Sequence, residues 1–192
     1  MKIGLFFGSF NPIHTGHLII ANYMATQTDL DEVWLIVSPQ NPLKQKSSLA
    51  PNQSRYYLAQ LAIEDNPKLR VSNIEFSLPT PSYTVDTLVV LQEKYPDKEF
   101  VLIMGGDNLV TLHKWKNYEI LLRDYAIYVY KRPGYELPDY SAKTSIQIFD
   151  NVPQMNISAT YIRQCIKDKK SIQYLVKDNV YEEILASNLY SK

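Results

Sequence analysis

The chain has 192 residues, with 20 basic and 20 acidic side chains and no net charge. At roughly 150 residues per domain that is one domain or a tight pair, large enough to bury about 70% of its unfolded surface without a metal or disulfide staple. The charge balance argues against bulk electrostatic binding to nucleic acid or anionic membrane, and the one cysteine, Cys165, excludes an internal disulfide and a cysteine zinc cluster.

In chain order, the continuous apolar run 3–7 reads as a strand buried on both faces, and Leu18, Ile19, Tyr23 and Met24 form a helical face after His17. Residues 33–37 give a second strand, followed by a proline-bearing loop over 38–51 that is long enough to be functional. Tyr57, Leu58, Leu61 and Ala62 repeat at helical spacing behind Asn52, whose side chain suits an N-cap. A weaker strand at 69–74 leads to a second proline-bearing loop over 77–82. Val85, Leu88, Val89 and Leu91 then predict a helix that stops at Tyr95-Pro96. Strands follow at 100–104 and 126–130, with an amphipathic helix closing at Leu121 and Leu122 between them, and a weaker strand lies at 145–149. Two short helices end the chain: 158–167, opening at a hydroxyl cap, and 178–189, with Val180, Ile184 and Leu185 inward. Alternating strand and helix means βαβ units. The expectation is an α/β, Rossmann-like, doubly wound parallel sheet, one domain over 1–192 whose helical C-terminal appendix spans about 157–192.

The apolar run at the N-terminus is too short for a secretory signal, and no stretch approaches the roughly 20 apolar residues of a membrane span. A cytoplasmic protein with no membrane or nucleic-acid partner is expected, while the oligomeric state, a homo-oligomer included, stays open. The 15 tyrosines come with no basic run, so a nucleic-acid module is disfavoured.

Gly8-Ser9-Phe10-Asn11-Pro12-Ile13-His14-Thr15-Gly16-His17 stands where the first strand meets the first helix, the usual ligand edge of an open α/β sheet. Gly8 permits a turn and close approach of a ligand to the amides. His14 and His17, three apart, project from one side of the first helical turn, and Gly16 between them keeps that side clear. Two imidazoles beside the free amides of a positive helix end suit a polyphosphate. A metal is the alternative for His-x-x-His, but no Cys, Asp or Glu nearby completes a shell; a simple helix cap is the other. Neither the dinucleotide G-x-G-x-x-G fingerprint nor the Walker ending is present.

This segment resembles, at every fixed position, the G-[ST]-F-[DN]-P-x-H-x-G-H signature of the nucleotidyltransferase superfamily. Ile157-Ser158-Ala159-Thr160-Tyr161-Ile162-Arg163 is similar to its I-S-S-T-x-I-R element, with Ala159 in place of the second serine. Pro81-Ser82-Tyr83-Thr84-Val85-Asp86-Thr87-Leu88, Met104-Gly105-Gly106-Asp107 with Trp115, and Lys131-Arg132-Pro133-Gly134-Tyr135 resemble segments of the bacterial nicotinate-mononucleotide adenylyltransferases.

The resemblance implies transfer of an adenylyl group from ATP to nicotinic acid mononucleotide, with Mg²⁺ carried by the ATP and no metal site of the protein's own. ATP would meet Gly8, Ser9, Phe10, His14, His17, Ile157, Ser158, Thr160 and Arg163. The mononucleotide would meet Lys44, Tyr83, Thr84, Gly105, Asp107, Trp115, Lys116 and Arg132, with Trp115 stacked on the pyridine ring. His14, His17, Lys44 and Arg163 are the implied catalytic residues. The loop after strand two departs from the family's P-P-H-K, reading Asn41-Pro42-Leu43-Lys44, so Leu43 replaces a histidine. A sister enzyme using the amide mononucleotide or phosphopantetheine, and a catalytically silent nucleotide sensor, are the competing readings.

Overall fold

A computed structural model describes residues 1–40, 49–132, 134–138 and 145–191. Among these, six strands form one sheet: β1 (Lys2–Gly8), β2 (Glu32–Val37), β3 (Leu69–Ser72), β4 (Glu99–Gly105), β5 (Ala126–Tyr130) and β6 (Ile146–Phe149). Every pairing is parallel and the spatial order is β3-β2-β1-β4-β5-β6, which makes β1 the centre, with Phe6 opposite Leu35 of β2 and Ile103 of β4. The order reverses between β1 and β4, so the crevice beyond their carboxyl ends is where such a sheet accepts ligands. The expected doubly wound, Rossmann-like architecture is the one found.

The helices are α1 (Thr15–Gln27), α2 (Asn52–Ile63), α3 (Thr84–Lys94), α4 (Gly106–Thr111), α5 (Tyr118–Asp124), α6 (Ala159–Lys167) and α7 (Asp178–Ser187). Strand side chains alternate between the two faces of the sheet. Phe6, Val33, Leu35, Val37, Val101 and Ile103 face α1, α2, α6 and α7, whose Met24, Leu58, Ile162, Val180 and Ile184 complete one apolar layer. Leu5, Trp34, Ile36, Leu102, Met104 and Val129 face α3, α4 and α5, meeting Leu88, Leu91, Leu109 and Leu121 on the other side. The C-terminal appendix therefore adds to one of the sheet's two covering layers.

Several boundaries and faces differ from expectation for local reasons. β3 stops at Ser72 because Ile74–Ser77 coil into a 3₁₀ turn. The inward face of α1 is Gly16, Ile20, Ala21, Met24 and Ala25; small residues let the helix approach the sheet, while Leu18 and Tyr23 pack at its margin. Tyr57, Val89 and Leu185 are exposed, the inward positions of their helices being taken by Arg55 and Ala59, by Thr87, and by Ile184. Pro51, not Asn52, caps α2, and the Asn52 side chain instead accepts a hydrogen bond from Arg55. No helix among the described residues is long and apolar enough to cross a membrane.

Candidate active site

β1 delivers Gly8 to the sheet's carboxyl edge, and the chain then turns sharply through Phe10, whose φ of 42° lies in the left-handed region. The turn is thus made at Phe10, not at Gly8. Gly8 is needed for space: a Cβ there would stand 2.8 and 2.9 Å from Phe10 ring carbons. The Phe10 side chain is buried and meets His17 edge-on at 5.1 Å between centroids, so only its backbone is left for a ligand.

His14 caps α1 and His17 occupies its first turn. Their rings stack at 3.6 Å with 22° between planes. The His14 backbone N–H donates to His17 Nδ1 at 3.3 Å. That acceptance leaves the proton of a neutral His17 on Nε2, as a donor. Burial, seconded by the positive charge of Arg132, pushes His14 from 6.5 down to about 4. His14 is therefore a neutral ring at pH 7, and its buried Nδ1 has no hydrogen-bond partner among the described residues. A Cβ on Gly16 would lie a tight 3.2 Å from both Cε1 and Nδ1 of His14, so a side chain there would press on that ring.

The second element arrives from α6. Ser158 caps it, accepting from the Tyr161 N–H at 3.1 Å. Arg163 donates to the Asn11 carbonyl at 2.8 Å and to Thr160 Oγ1 at 3.2 Å. The two motifs, 152 positions apart between Asn11 and Arg163, are thereby one constellation. Ile157 packs against the apolar layer beside them.

A cavity of about 310 Å³ opens beside this loop, lined by Gly8, Ser9, Gln40, Tyr83, Thr84, Trp115 and Lys116 among others. Thr84 opens α3 and Trp115 ends the 3₁₀ turn Leu112–Lys114. The Trp115 Nε1 is buried without a partner among the described residues. The Lys116 ammonium pairs with Asp86 at 2.8 Å and lies 4.9 Å from the Tyr83 ring centroid. Gly105, Asp107 and Arg132 gather elsewhere, around Tyr130 and toward His14: Arg132 donates to Asp107 at 3.2 Å and stands 5.7 Å from the Tyr130 ring. Gly105 caps α4, and Asp107 sits in its first turn. Burial pushes the Tyr130 phenol up to about 12. Lys44 and Leu43 lie outside the described residues.

Sequence reasoning did not assign Glu75, which lines the cavity yet is only 2% exposed. It accepts from Ser82 Oγ and Thr87 Oγ1, each at 2.8 Å, and so pins the segment that carries Tyr83 and Thr84. The signal was a carboxylate between two apolar neighbours, Ile74-Glu75-Phe76. Arg55, which with Leu61-Ala62-Ile63 resembles the family's helix after the loop but carries no role from that resemblance, is the other unassigned group. Fully buried on α2, it donates to the carbonyls of Ser9, Ser38, Pro39 and Ala50 and to Asn52 Oδ1. Desolvation draws it below the ordinary arginine range, a pull opposed by Tyr190, but guanidinium stays charged in proteins. Among the described residues no group of three or more His, Cys, Asp or Glu is placed to hold a metal ion.

Residues 5–165 match the model of the cytidylyltransferase-like family. A Flavobacterium psychrophilum protein named "Probable nicotinate-nucleotide adenylyltransferase" is 54% identical over 194 residues, covering 100% of both chains. The chain belongs to the cytidylyltransferase-like family, in its nicotinate-nucleotide adenylyltransferase branch. A Bacteroides thetaiotaomicron relative of the same name is 42% identical, over 96% of this chain and 91% of its own. This member of the cytidylyltransferase-like family also superposes on a Plasmodium falciparum nicotinic acid mononucleotide adenylyltransferase solved with NaAD, at TM-score 0.81 and 20% identity, over 98% of this chain and 97% of that one. At that identity the likeness speaks for the fold.

Proposed function

We propose that this protein joins ATP and nicotinic acid mononucleotide to give nicotinic acid adenine dinucleotide and pyrophosphate, a step of NAD biosynthesis, and that residues 1–192 act as one nucleotidyltransferase domain. The observation that carries the reading is the continuity of two different sites through Gly8 and Ser9. On one side stand the stacked His14 and His17 with Arg163; on the other, the cavity holding Thr84 and Trp115. Full-length relatives named for this activity, at up to 54% identity, support it.

The phosphate of the mononucleotide attacks the α-phosphorus of ATP in line. A bond forms from that phosphate oxygen, the α–β bridging bond breaks, and its electron pair leaves on pyrophosphate. A phosphate dianion is already nucleophilic, so no general base is called for, and catalysis consists of positioning and electrostatics. His17, with its Nε2–H, donates to charge gathering on the α-phosphate. His14 serves as a neutral hydrogen-bonding ring in the same place, not as a cation. Arg163 and Thr160, joined to each other and to the Asn11 carbonyl, hold the β- and γ-phosphates. Magnesium arrives with ATP as part of the substrate and keeps chiefly water and phosphate ligands.

Thr84, at the start of α3, and the Lys116 backbone amide take the nicotinate carboxylate, and Trp115 stacks on the ring. Gly105 and Asp107, with Arg132 beside them, serve the ribose hydroxyls. The test is pyrophosphate release from MgATP with nicotinic acid mononucleotide or, separately, with its amide. Strong preference for the acid is expected, because a site built to pair a carboxylate leaves polar groups unpaired with the amide. Preference for the amide would overturn the carboxylate pocket, and release with neither would overturn the activity.

A further inference from the structure

Arg55 stands out as a fully buried cation with no carboxylate pairing it among the described residues. Burying a charge without a counter-charge is costly, and carbonyl dipoles repay only part of that cost. What they receive in return is orientation. One Arg55 nitrogen, Nη1, holds both the Ser9 and the Ser38 carbonyls, at the ends of β1 and β2. Nε holds the Ala50 carbonyl, and Nη2 the Pro39 carbonyl and Asn52 Oδ1.

The Ser9–Phe10 peptide is not among the cis bonds, so its C=O and N–H point in opposite directions. With the Ser9 carbonyl drawn inward to a buried guanidinium, the Phe10 N–H is turned outward, on the loop where Ser9 lines the cavity. The Pro39 carbonyl, next to Gln40 of the cavity, meets Nη2 only at 3.4 Å, so the mononucleotide side is gripped less firmly than the Ser9 loop. Tyr190, whose buried hydroxyl has no hydrogen-bond partner among the described residues, lies within electrostatic reach of the group.

We propose that Arg55 is a positioning residue for the triphosphate: it aims the Phe10 amide at the phosphates and supplies an unneutralised positive charge behind that loop. This rests on the placement of ATP at Gly8–His17 given above. Arg55 touches neither substrate; it acts through the peptide it holds.

The experiment measures dissociation constants calorimetrically on the full chain, for MgATP without acceptor and for nicotinic acid mononucleotide. The variants are Arg55→Lys, which keeps the charge but cannot span the carbonyls, and Asn52→Asp, which sets a carboxylate beside the Nη2 that Asn52 already meets at 2.7 Å. Arg55→Lys should raise Kd for MgATP about tenfold, and Asn52→Asp about fivefold, with Kd for the mononucleotide within about twofold of wild type. Unchanged MgATP affinity in both variants overturns the proposal. So does an equal loss for both ligands, which is what mere loosening of the fold would produce. Should Arg55→Lys not fold, Asn52→Asp alone decides by the same criterion. Failure of the wild-type protein to bind MgATP at all would instead sink the ATP site itself.

Discussion

Replacing Gly8 with alanine tests whether the glycine makes room for the ring proposed to act on the α-phosphate. The added Cβ would lie 2.8 and 2.9 Å from two Phe10 ring carbons. Carbon atoms settle at about 3.5 Å or more, so the ring must retreat by roughly 0.6 Å. Phe10 is 1% exposed and wedged between Phe6, at 5.9 Å, and His17, at 5.1 Å, so it can retreat only by moving one of them. Overpacking of this kind costs about 1–3 kcal/mol, or roughly 2–12 °C in Tm for a chain of this length. Displacing His17 by about half an ångström should lower kcat roughly tenfold to a hundredfold, with a smaller change in KM for the mononucleotide. Thermal unfolding and initial rates of pyrophosphate release measure both effects. The reasoning also predicts coupling: in the double variant with Phe10→Leu, the loss should be less than the sum of the single losses. An unchanged kcat in Gly8→Ala, or strict additivity in the double variant, would refute it.

Three further outcomes are expected. His17→Ala should lower kcat far more than it raises KM for either substrate in steady-state assays, since the role proposed for the ring is on charge that develops in the transition state. His14 should make the protein acid-sensitive: with its folded pKa lowered to about 4 from 6.5, the unfolded chain binds the extra proton first, so stability is complete above about pH 6.5 and falls as pH drops toward 4. The loss should approach roughly 3 kcal/mol, and denaturant titrations across that range should show it in wild type but not in His14→Gln. Glu75→Ala strands the Ser82 hydroxyl, leaves Thr87 only the Tyr83 carbonyl at 3.2 Å, and should raise the mononucleotide KM about tenfold, while Glu75→Gln, able to bond both hydroxyls, should recover most of that loss.

The central strands were legible because burial on both faces leaves continuous runs of apolar residues, as in 33–37 and 100–104, that admit one reading. Helix faces were less so. In α1 the contact surface includes Gly16, Ala21 and Ala25, which periodicity of large apolar residues overlooks, so the face of Leu18, Ile19, Tyr23 and Met24 that it offers shares only Met24 with the buried one. The histidine pair and the Ser158 cap followed from spacing of three along a helical turn, a local relation that the fold preserves. Arg55 and Glu75 act across long separations, on Ser9 and Thr87 among others, and nothing local to either residue announces its partners. Arg132 was grouped with the mononucleotide on the strength of its motif; its position beside Asp107 and its influence on His14 come from the packing of β4 against β5.

The tie between Arg163 and the Asn11 carbonyl also bears on how the molecule comes into being. On the ribosome the histidine loop emerges near the start of translation, whereas the arginine that steadies it follows 152 residues later. The Thr15 N–H likewise awaits the Leu175 carbonyl. A nascent chain can therefore pair most of its sheet while its histidine loop is still unbraced, and synthesis of the last helices supplies both that brace and the final part of one apolar layer. Ribosomal stalling or proteolytic loss within that stretch would leave the histidine loop unbraced and, at the same stroke, uncover the apolar layer that α6 and α7 complete.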